Sequence, residues 1–186
     1  MTPILLIPGL NCSARLYAEQ APALWRLGAV TVADHRRGAT MAELARAILA
    51  DAPPRFALVG FSMGGYIAFE IMRQAASRVT QLALVDTSAR PDTPEATAKR
   101  RERIALTEAG RYDEAVESQF PALVHKSHRE DRRLQTIFRQ MAEECGPEAF
   151  VRHLKAIIAR PDSRPTLSAI KCRTLVVVGD SDEVTP

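Results

Sequence analysis

Cysteine, aromatic residues and long apolar runs are all scarce in this sequence of 186 residues. The three cysteines, Cys12, Cys145 and Cys172, lie far apart in no metal-ligand spacing, which predicts reduced thiols, no bound metal and a cytoplasmic location. No run approaches the roughly 18 apolar residues that a membrane-spanning helix requires. The opening MTPILLIPGL is apolar but has no basic leader, so it does not indicate a signal peptide. The sequence therefore predicts a protein that does not span a membrane and does not depend on disulfide bonds.

Runs of like charge are also missing. The formal net charge is +3, and basic and acidic residues alternate closely, as in SHREDRRLQ at 127–135. This mixing is typical of solvated helix faces and argues against a nucleic-acid partner. Two nucleotide motifs are absent as well: neither G-x-G-x-x-G nor G-x-x-x-x-G-K-[ST] occurs, which argues against a dinucleotide or P-loop cofactor. We expect no organic cofactor and no metal.

What the sequence does contain, in its first half, is a regular alternation of short apolar strands and amphipathic helices. Repeated units of this kind predict an α/β fold with a doubly wound, mainly parallel sheet. Thr40 and Glu43 form a capping box at the start of one helix. The predicted strands are 3–9, 29–34, 55–60 and 79–86, and the predicted helices are 13–28, 40–54 and 63–76.

The alternation stops after residue 87 and resumes near the end of the chain. Residues 88–165 contain no convincing strand, and helices are predicted near 93–108, 111–123, 128–144 and 147–159. Because connections within α/β units are usually far shorter, this stretch is predicted to be an inserted helical cap. A fifth strand follows within 172–180. The predicted division is a core of 1–87 and 166–186 with a cap of 88–165.

The segment GFSMG, residues 60–64, stands where a predicted strand turns into a helix. G-x-S-x-G has mechanical meaning at such a turn, because the turn lifts the serine hydroxyl above the sheet. Gly60 and Gly64 are expected to relieve collisions, since side chains two residues either side of Ser62 would clash. A tight turn with an incidental serine is the alternative. The context favours Ser62 as a nucleophile.

Two backbone N–H groups are candidates for an oxyanion hole beside that serine. One belongs to Met63, the residue after the proposed nucleophile, at a helix N-terminus. The other belongs to Leu10, in the loop that follows the first strand and begins with Pro8 and Gly9. Gly9 alone would be interpreted as an ordinary turn glycine. Next to Ser62, it indicates a loop that faces the site.

Taken together, these segments resemble the α/β-hydrolase superfamily. The matching stretches are LLIPGLNCSARLYAEQAPAL, VADHRRG, LVGFSMGGYIAFEI and TLVVVGDSDEVTP. FSMGG, LVDTSAR and GDSDEVTP are most similar to small-molecule esterases and lactonases of the 3-oxoadipate enol-lactonase type. The resemblance implies a helical cap over an apolar pocket and a small ester or lactone as substrate.

The resemblance also implies a catalytic acid three residues after Gly179, which is Asp182. Asp86, after the fourth predicted strand, is the position that some members use instead, and Asp180 is interpreted as a turn residue. Members of the superfamily often have His-Gly in the oxyanion loop, where this chain has Pro8-Gly9.

The largest departure from the family pattern concerns the catalytic base. In this superfamily the histidine follows the acid, but no histidine follows Asp182 in this sequence. His35 corresponds to a structural turn, and His125, His128 and His153 lie in the predicted cap. We therefore expect a chain that is C-terminally truncated before the catalytic histidine and lacks the last strand and helix of the fold.

Two functional interpretations follow. The first is a serine hydrolase of small esters or lactones, with its histidine beyond the 186 residues. The second is a catalytically inactive α/β-hydrolase-like fragment or small-ligand-binding protein. Without a further strand, 174–178 would form an exposed apolar edge, which predicts a homo-oligomer through that edge.

Overall fold

The computed structural model describes residues 1–185. Its centre is one sheet of five parallel strands in the order β2-β1-β3-β4-β5. This arrangement confirms the predicted parallel α/β fold. The strands are β1 (Ile4–Ile7), β2 (Val30–Val32), β3 (Phe56–Phe61), β4 (Val79–Val85) and β5 (Arg173–Val177).

The helices of the first half pack on the sheet. They are α1 (Ala21–Trp25), α2 (Met41–Asp51) and α3 (Met63–Ala75). Apolar side chains of α2 and α3 join those of β1, β3 and β4 in the largest buried cluster. Thr40 caps α2 as predicted, because its hydroxyl accepts the Glu43 N–H at 3.1 Å.

One predicted helix of this half is wrong. Residues 13–28 do not form a single helix but a 3-10 turn, Ala14–Tyr17, followed by the short α1. Pro22 lies in the first turn of α1, where its missing N–H is tolerated, and the same residue would break a longer helix.

Five helices lie between β4 and β5 in the sequence, and no strand does within residues 86–172. They are α4 (Pro94–Glu108), α5 (Tyr112–Glu117), α6 (Phe120–Leu123), α7 (Arg132–Cys145) and α8 (Pro147–Ile158). The predicted helix 111–123 is interrupted before Phe120, since Pro121 begins a new turn. The division of the chain at 88 and 165 stays a prediction.

Buried contacts hold the cap together and join it to the core. Asp92 lies between Arg160, at 2.9 Å, and Arg100, at 3.2 Å, and its side chain is 2% exposed. From α8, Ala156 and Ile157 join the core cluster under the sheet. The ion pairs of Asp92 therefore stabilise the cap internally, and the packing of α8 holds the cap against the core.

Strand β5 is an exposed edge. It pairs with β4 alone among the described strands, and every residue from Arg173 to Val177 is exposed. Within residues 1–185, no helix is both long enough and apolar enough to cross a membrane.

Candidate active site

Ser62 occupies a strained turn between β3 and α3. Its φ of 51° and ψ of −116° lie outside the regions that side-chain-bearing residues ordinarily adopt. Strain of this kind costs of the order of 1–3 kcal/mol and persists where neighbours hold it. Here β4 and the residues that follow it hold the turn: the Ser62 N–H donates to the Val85 carbonyl at 2.9 Å, and the Thr87 hydroxyl donates to the Ser62 carbonyl at 2.7 Å.

The two glycines of the motif make this turn sterically feasible. A Cβ on Gly64 would lie 2.1 Å from the carbonyl oxygen of Ile7, and one on Gly60 would lie 2.6 Å from that of Gly64. Both obstacles are backbone atoms, which cannot move aside as a flexible side chain could. Helix α3 therefore begins in close contact with β1.

The loop after β1, residues 8–12 and here named the β1 loop, lies against Ser62. A Cβ built on Gly9 would be 3.3 Å from the Cβ of Ser62. The Cys12 N–H donates to the Gly9 carbonyl at 3.1 Å, which closes a turn around Leu10 and Asn11. Asn11 has a φ of 54° and is 1% exposed. The structure thus places the loop that carries Leu10 next to the proposed nucleophile.

Asp182 lies in a turn after β5, and its carboxylate accepts three hydrogen bonds. The N–H groups of Val184 and Thr185 donate to Oδ1 at 2.7 and 2.9 Å, and the Thr185 hydroxyl donates to Oδ2 at 2.6 Å. Burial raises the pKa of Asp182, but these hydrogen bonds outweigh burial and hold the pKa below its usual value. The side chain is therefore a carboxylate at neutral pH.

Asp86, the alternative acid, follows β4 with a φ of 43°. Its Oδ1 accepts the Gly179 N–H at 3.0 Å, so it connects the ends of β4 and β5. Asp86 is thus engaged in positioning the turn that carries Asp182.

Ser62, Asp86 and Asp182 line one open cleft of about 610 Å³ between the core and the cap. Asp180 lines the same cleft, and it lies in a turn, as interpreted from the sequence. The cap contributes α6 and the residues after it to the lining of this cleft: Ala122, Leu123, Val124, His125, Lys126 and Arg129.

None of the four histidines hydrogen-bonds Ser62 or Asp182 in the described part of the chain. His125 lines the cleft, but its Nδ1 is engaged with Ser127, at 2.7 Å from Oγ. His128 is exposed. His35 and His153 are buried behind the β1 loop, with ring centroids 4.8 Å apart.

Sequence reasoning missed the contacts that hold the β1 loop from behind. His35 Nε2 lies 2.9 Å from the Gly9 carbonyl, and the Asn11 amide lies 3.3 Å from the Tyr112 hydroxyl of α5. The Cys145 thiol of α7 lies 3.4 Å from the Cys12 carbonyl. These contacts join residues that are far apart in the sequence. Only Asn11 carried a local signal, because asparagine tolerates positive φ.

Comparison with known protein sequences found similarity along most of the chain. A family model described as thioesterase domain matches residues 2–169. The putative carbamate hydrolase RutD of Variovorax paradoxus (strain S110) is 28% identical over 204 residues, covering 98% of this chain and 75% of that protein.

Solved structures show the same fold. A thermophilic esterase from Thermogutta terrifontis, solved with malate bound, superposes with a TM-score of 0.86 at 30% identity, covering 100% of this chain and 74% of that one. The enol-lactonase from Burkholderia xenovorans LB400 gives a TM-score of 0.83 at 22% identity, over 97% of this chain and 74% of the lactonase. Because the family match spans most of the sequence and the esterase aligns with all of it, this chain belongs to the thioesterase domain family within the α/β-hydrolase superfamily.

Proposed function

We propose that this chain is a serine hydrolase that cleaves small carboxylic esters or lactones through an acyl-enzyme on Ser62. The observation that carries the proposal is the backbone of Ser62, with its φ of 51° at a strand-to-helix turn that leaves no room for a side chain on Gly64. An incidental serine in an ordinary turn would not need this conformation. The relatives reported above, named as an esterase, an enol-lactonase and a putative carbamate hydrolase, are all hydrolytic.

In the proposed reaction the Ser62 hydroxyl oxygen attacks the substrate carbonyl carbon while its proton passes to the catalytic histidine, and the N–H groups of Met63 and Leu10 stabilise the oxyanion. The bond to the alcohol oxygen then breaks, the alcohol leaves with that proton, and water attacks the acyl-enzyme to release the carboxylic acid and restore Ser62. Met63 is the first residue of α3, so its N–H has no acceptor within the helix and lies at the positive end of the helix dipole. Loss of one such donor costs about 3–4 kcal/mol of transition-state stabilisation in another serine hydrolase. No metal or organic cofactor takes part in this reaction.

Asp182 is the proposed acid that orients the catalytic histidine. Its carboxylate has room for a further donor, because two oxygens offer about four acceptor positions and three are occupied. The proposed base is none of His35, His125, His128 or His153, which make no hydrogen bond with Ser62 or Asp182 among residues 1–185, and the proposal draws it from outside residues 1–186.

We infer a small substrate with an apolar body. Among the cap residues that line the cleft, Ala122, Leu123 and Val124 are apolar, and Phe61, next to Ser62 in the sequence, adds an aromatic residue to the lining. The three cysteines are free, which supports a reducing, cytoplasmic location as part of the proposal.

The test is covalent labelling of the 186-residue polypeptide. A fluorophosphonate probe and an activated ester, p-nitrophenyl acetate, are each expected to add once, at Ser62, in the intact mass spectrum. Ser62→Ala is expected to abolish the adduct, because among residues 1–185 Ser62 is the only hydroxyl-bearing residue with a positive φ. Ser181→Ala is the matched control, since Ser181 lines the same cleft. This variant should be labelled at Ser62 to the same extent as the wild type.

An adduct that persists in Ser62→Ala would remove the nucleophile assignment. Acylation and turnover are both expected to be slow, because the triad histidine acts in both steps and its loss in another serine hydrolase lowers kcat by about six powers of ten. Many turnovers that depend on Ser62 would contradict the assignment of the base. No labelling of the wild type would favour a ligand-binding protein.

A further inference from the structure

We propose that His35 is a positioning residue for the oxyanion hole, and that His153 of the cap holds His35 in place. The proposal rests on the proposed function, because it concerns the N–H of Leu10 that stabilises the oxyanion there. Its basis is a chain of two hydrogen bonds: His35 Nε2 lies 2.9 Å from the Gly9 carbonyl oxygen, and His153 Nε2 lies 2.8 Å from the His35 carbonyl oxygen.

The peptide bond explains why a bond to Gly9 acts on Leu10. The carbonyl of Gly9 and the N–H of Leu10 belong to the same planar, trans peptide group, so they point in opposite directions. A donor that fixes the Gly9 carbonyl on the far side of the β1 loop therefore fixes the direction of the Leu10 N–H. That N–H lies on the side of the peptide opposite His35. Gly9 itself approaches Ser62 closely, since a Cβ on Gly9 would be 3.3 Å from the Ser62 Cβ.

The hydrogen bonds also define the protonation of both rings. A carbonyl oxygen can only accept, so Nε2 carries the hydrogen in His35 and in His153. His153 is fully buried and its Nδ1 has no partner among residues 1–185, which is consistent with a neutral ring. His35 is 3% exposed. The pair is thus two neutral imidazoles that donate in series, from α8 of the cap to the β1 loop.

Neighbouring contacts restrict the loop further but do not replace His35. The Cys12 N–H also donates to the Gly9 carbonyl, at 3.1 Å, but it belongs to the same loop and moves with it. His35 belongs to the segment after β2, so it anchors the loop to a separate part of the core. A cap helix thereby contributes to the geometry of the site without touching a substrate.

The first measurement reads the Gly9–Leu10 peptide directly. It is the only Gly–Leu pair in the sequence, so carbonyl-13C glycine with 15N leucine gives one correlated peak in the NMR spectrum. In His35→Leu the Gly9 carbonyl signal is expected to move to lower frequency, because its hydrogen bond is lost. In His35→Gln, whose amide N–H reaches a similar distance, the signal should stay near its wild-type position. An unmoved peak in His35→Leu would overturn the proposal.

The second measurement is the rate of Ser62 acylation by p-nitrophenyl acetate. His35→Leu is expected to slow acylation by about 10- to 100-fold, somewhat less than outright loss of an oxyanion donor. The KM should change little, because the oxyanion forms only in the transition state. His35→Gln should restore most of the rate, and His128→Leu, at an exposed histidine, should match the wild type.

Equal losses in His35→Leu and His35→Gln would overturn the proposal, since they would indicate loss of packing rather than of a donor. Acylation that survives Ser62→Ala would instead refute the proposed function, and the NMR peak would still decide the role of His35. If His35→Leu does not fold, the 15N chemical shifts of the His35 ring in the wild type show which of its nitrogens carries the hydrogen. A hydrogen on Nδ1 rather than Nε2 of His35 would overturn the proposal.

Discussion

At the scale of single residues, backbone space rather than side-chain chemistry defines the site. Ser62 is held in a strained conformation by hydrogen bonds to its N–H and carbonyl, and Gly64 allows α3 to begin against β1. This explains why a five-residue motif could be interpreted from the sequence: each requirement is local to the turn or to the strand beside it.

The substitution Gly64→Ala tests that requirement. In an ordinary helix position alanine would stabilise the fold by up to about 1 kcal/mol, so a loss cannot come from helix propensity. Here the new Cβ would lie 2.1 Å from the Ile7 carbonyl oxygen, and we expect the free energy of unfolding to fall by about 3 kcal/mol or more. Urea unfolding measures the loss. Gly179→Ala is the control, because its Cβ would meet nothing closer than 3.9 Å.

At the scale of helices and strands, the sequence predicted those elements whose limits are set by local residues. The Thr40 cap falls where expected, and α4 and α8, which begin at Pro94 and Pro147, start close to their predicted limits. The predicted helices 13–28 and 111–123 are interrupted in the structure, because apolar periodicity continues across Pro22 and Pro121 while the backbone does not.

The supports behind the β1 loop could not be predicted, for a different reason. The contact of His35 with Gly9 spans 26 residues, and that of His153 with His35 spans 118. Such contacts depend on how the cap packs on the core, which no local pattern encodes. The sequence places His153 in the predicted cap without predicting its burial, and in the structure it is fully buried in α8.

The burial of His153 predicts a pH dependence of stability. Burial is the main cause that lowers the pKa of His153 from 6.5 to about 4, and the neighbouring His35 and Arg152 lower it as well. The hydrogen bond to the His35 carbonyl and the charge of Asp34 oppose the shift. Between pH 6.5 and 4, His153 binds a proton in the unfolded chain but not in the folded chain. The free energy of unfolding therefore falls as the pH falls. The loss amounts to about 3 kcal/mol over this range.

His153→Gln is expected to flatten that dependence, because glutamine keeps an N–H for the His35 carbonyl and does not titrate. Urea unfolding at several pH values between 4 and 6.5 measures it. His128→Gln is the matched control, since it removes an exposed histidine and leaves the buried pair intact. A His153→Gln curve as steep as that of the wild type would contradict the assignment.

At the scale of the whole molecule, one edge of the sheet stands apart. At the other edge, β2 keeps Val30 and Val32 half-buried, whereas β5 exposes 60% of Leu175 and 67% of Val176. A strand edge with unpaired backbone groups and apolar side chains is a template for pairing with another chain. A net charge of +3 offers little repulsion against association.

We therefore expect the 186-residue polypeptide to self-associate through β5. In sedimentation velocity its average sedimentation coefficient should rise with protein concentration. Leu175→Lys should weaken this rise, because a charge on the edge strand opposes pairing. Leu27→Lys is the matched control: Leu27 is 64% exposed but lies after α1, away from β5, and its replacement should leave association unchanged. A wild type that stays monomeric at the highest concentration, or equal effects of the two lysines, would contradict pairing through this edge.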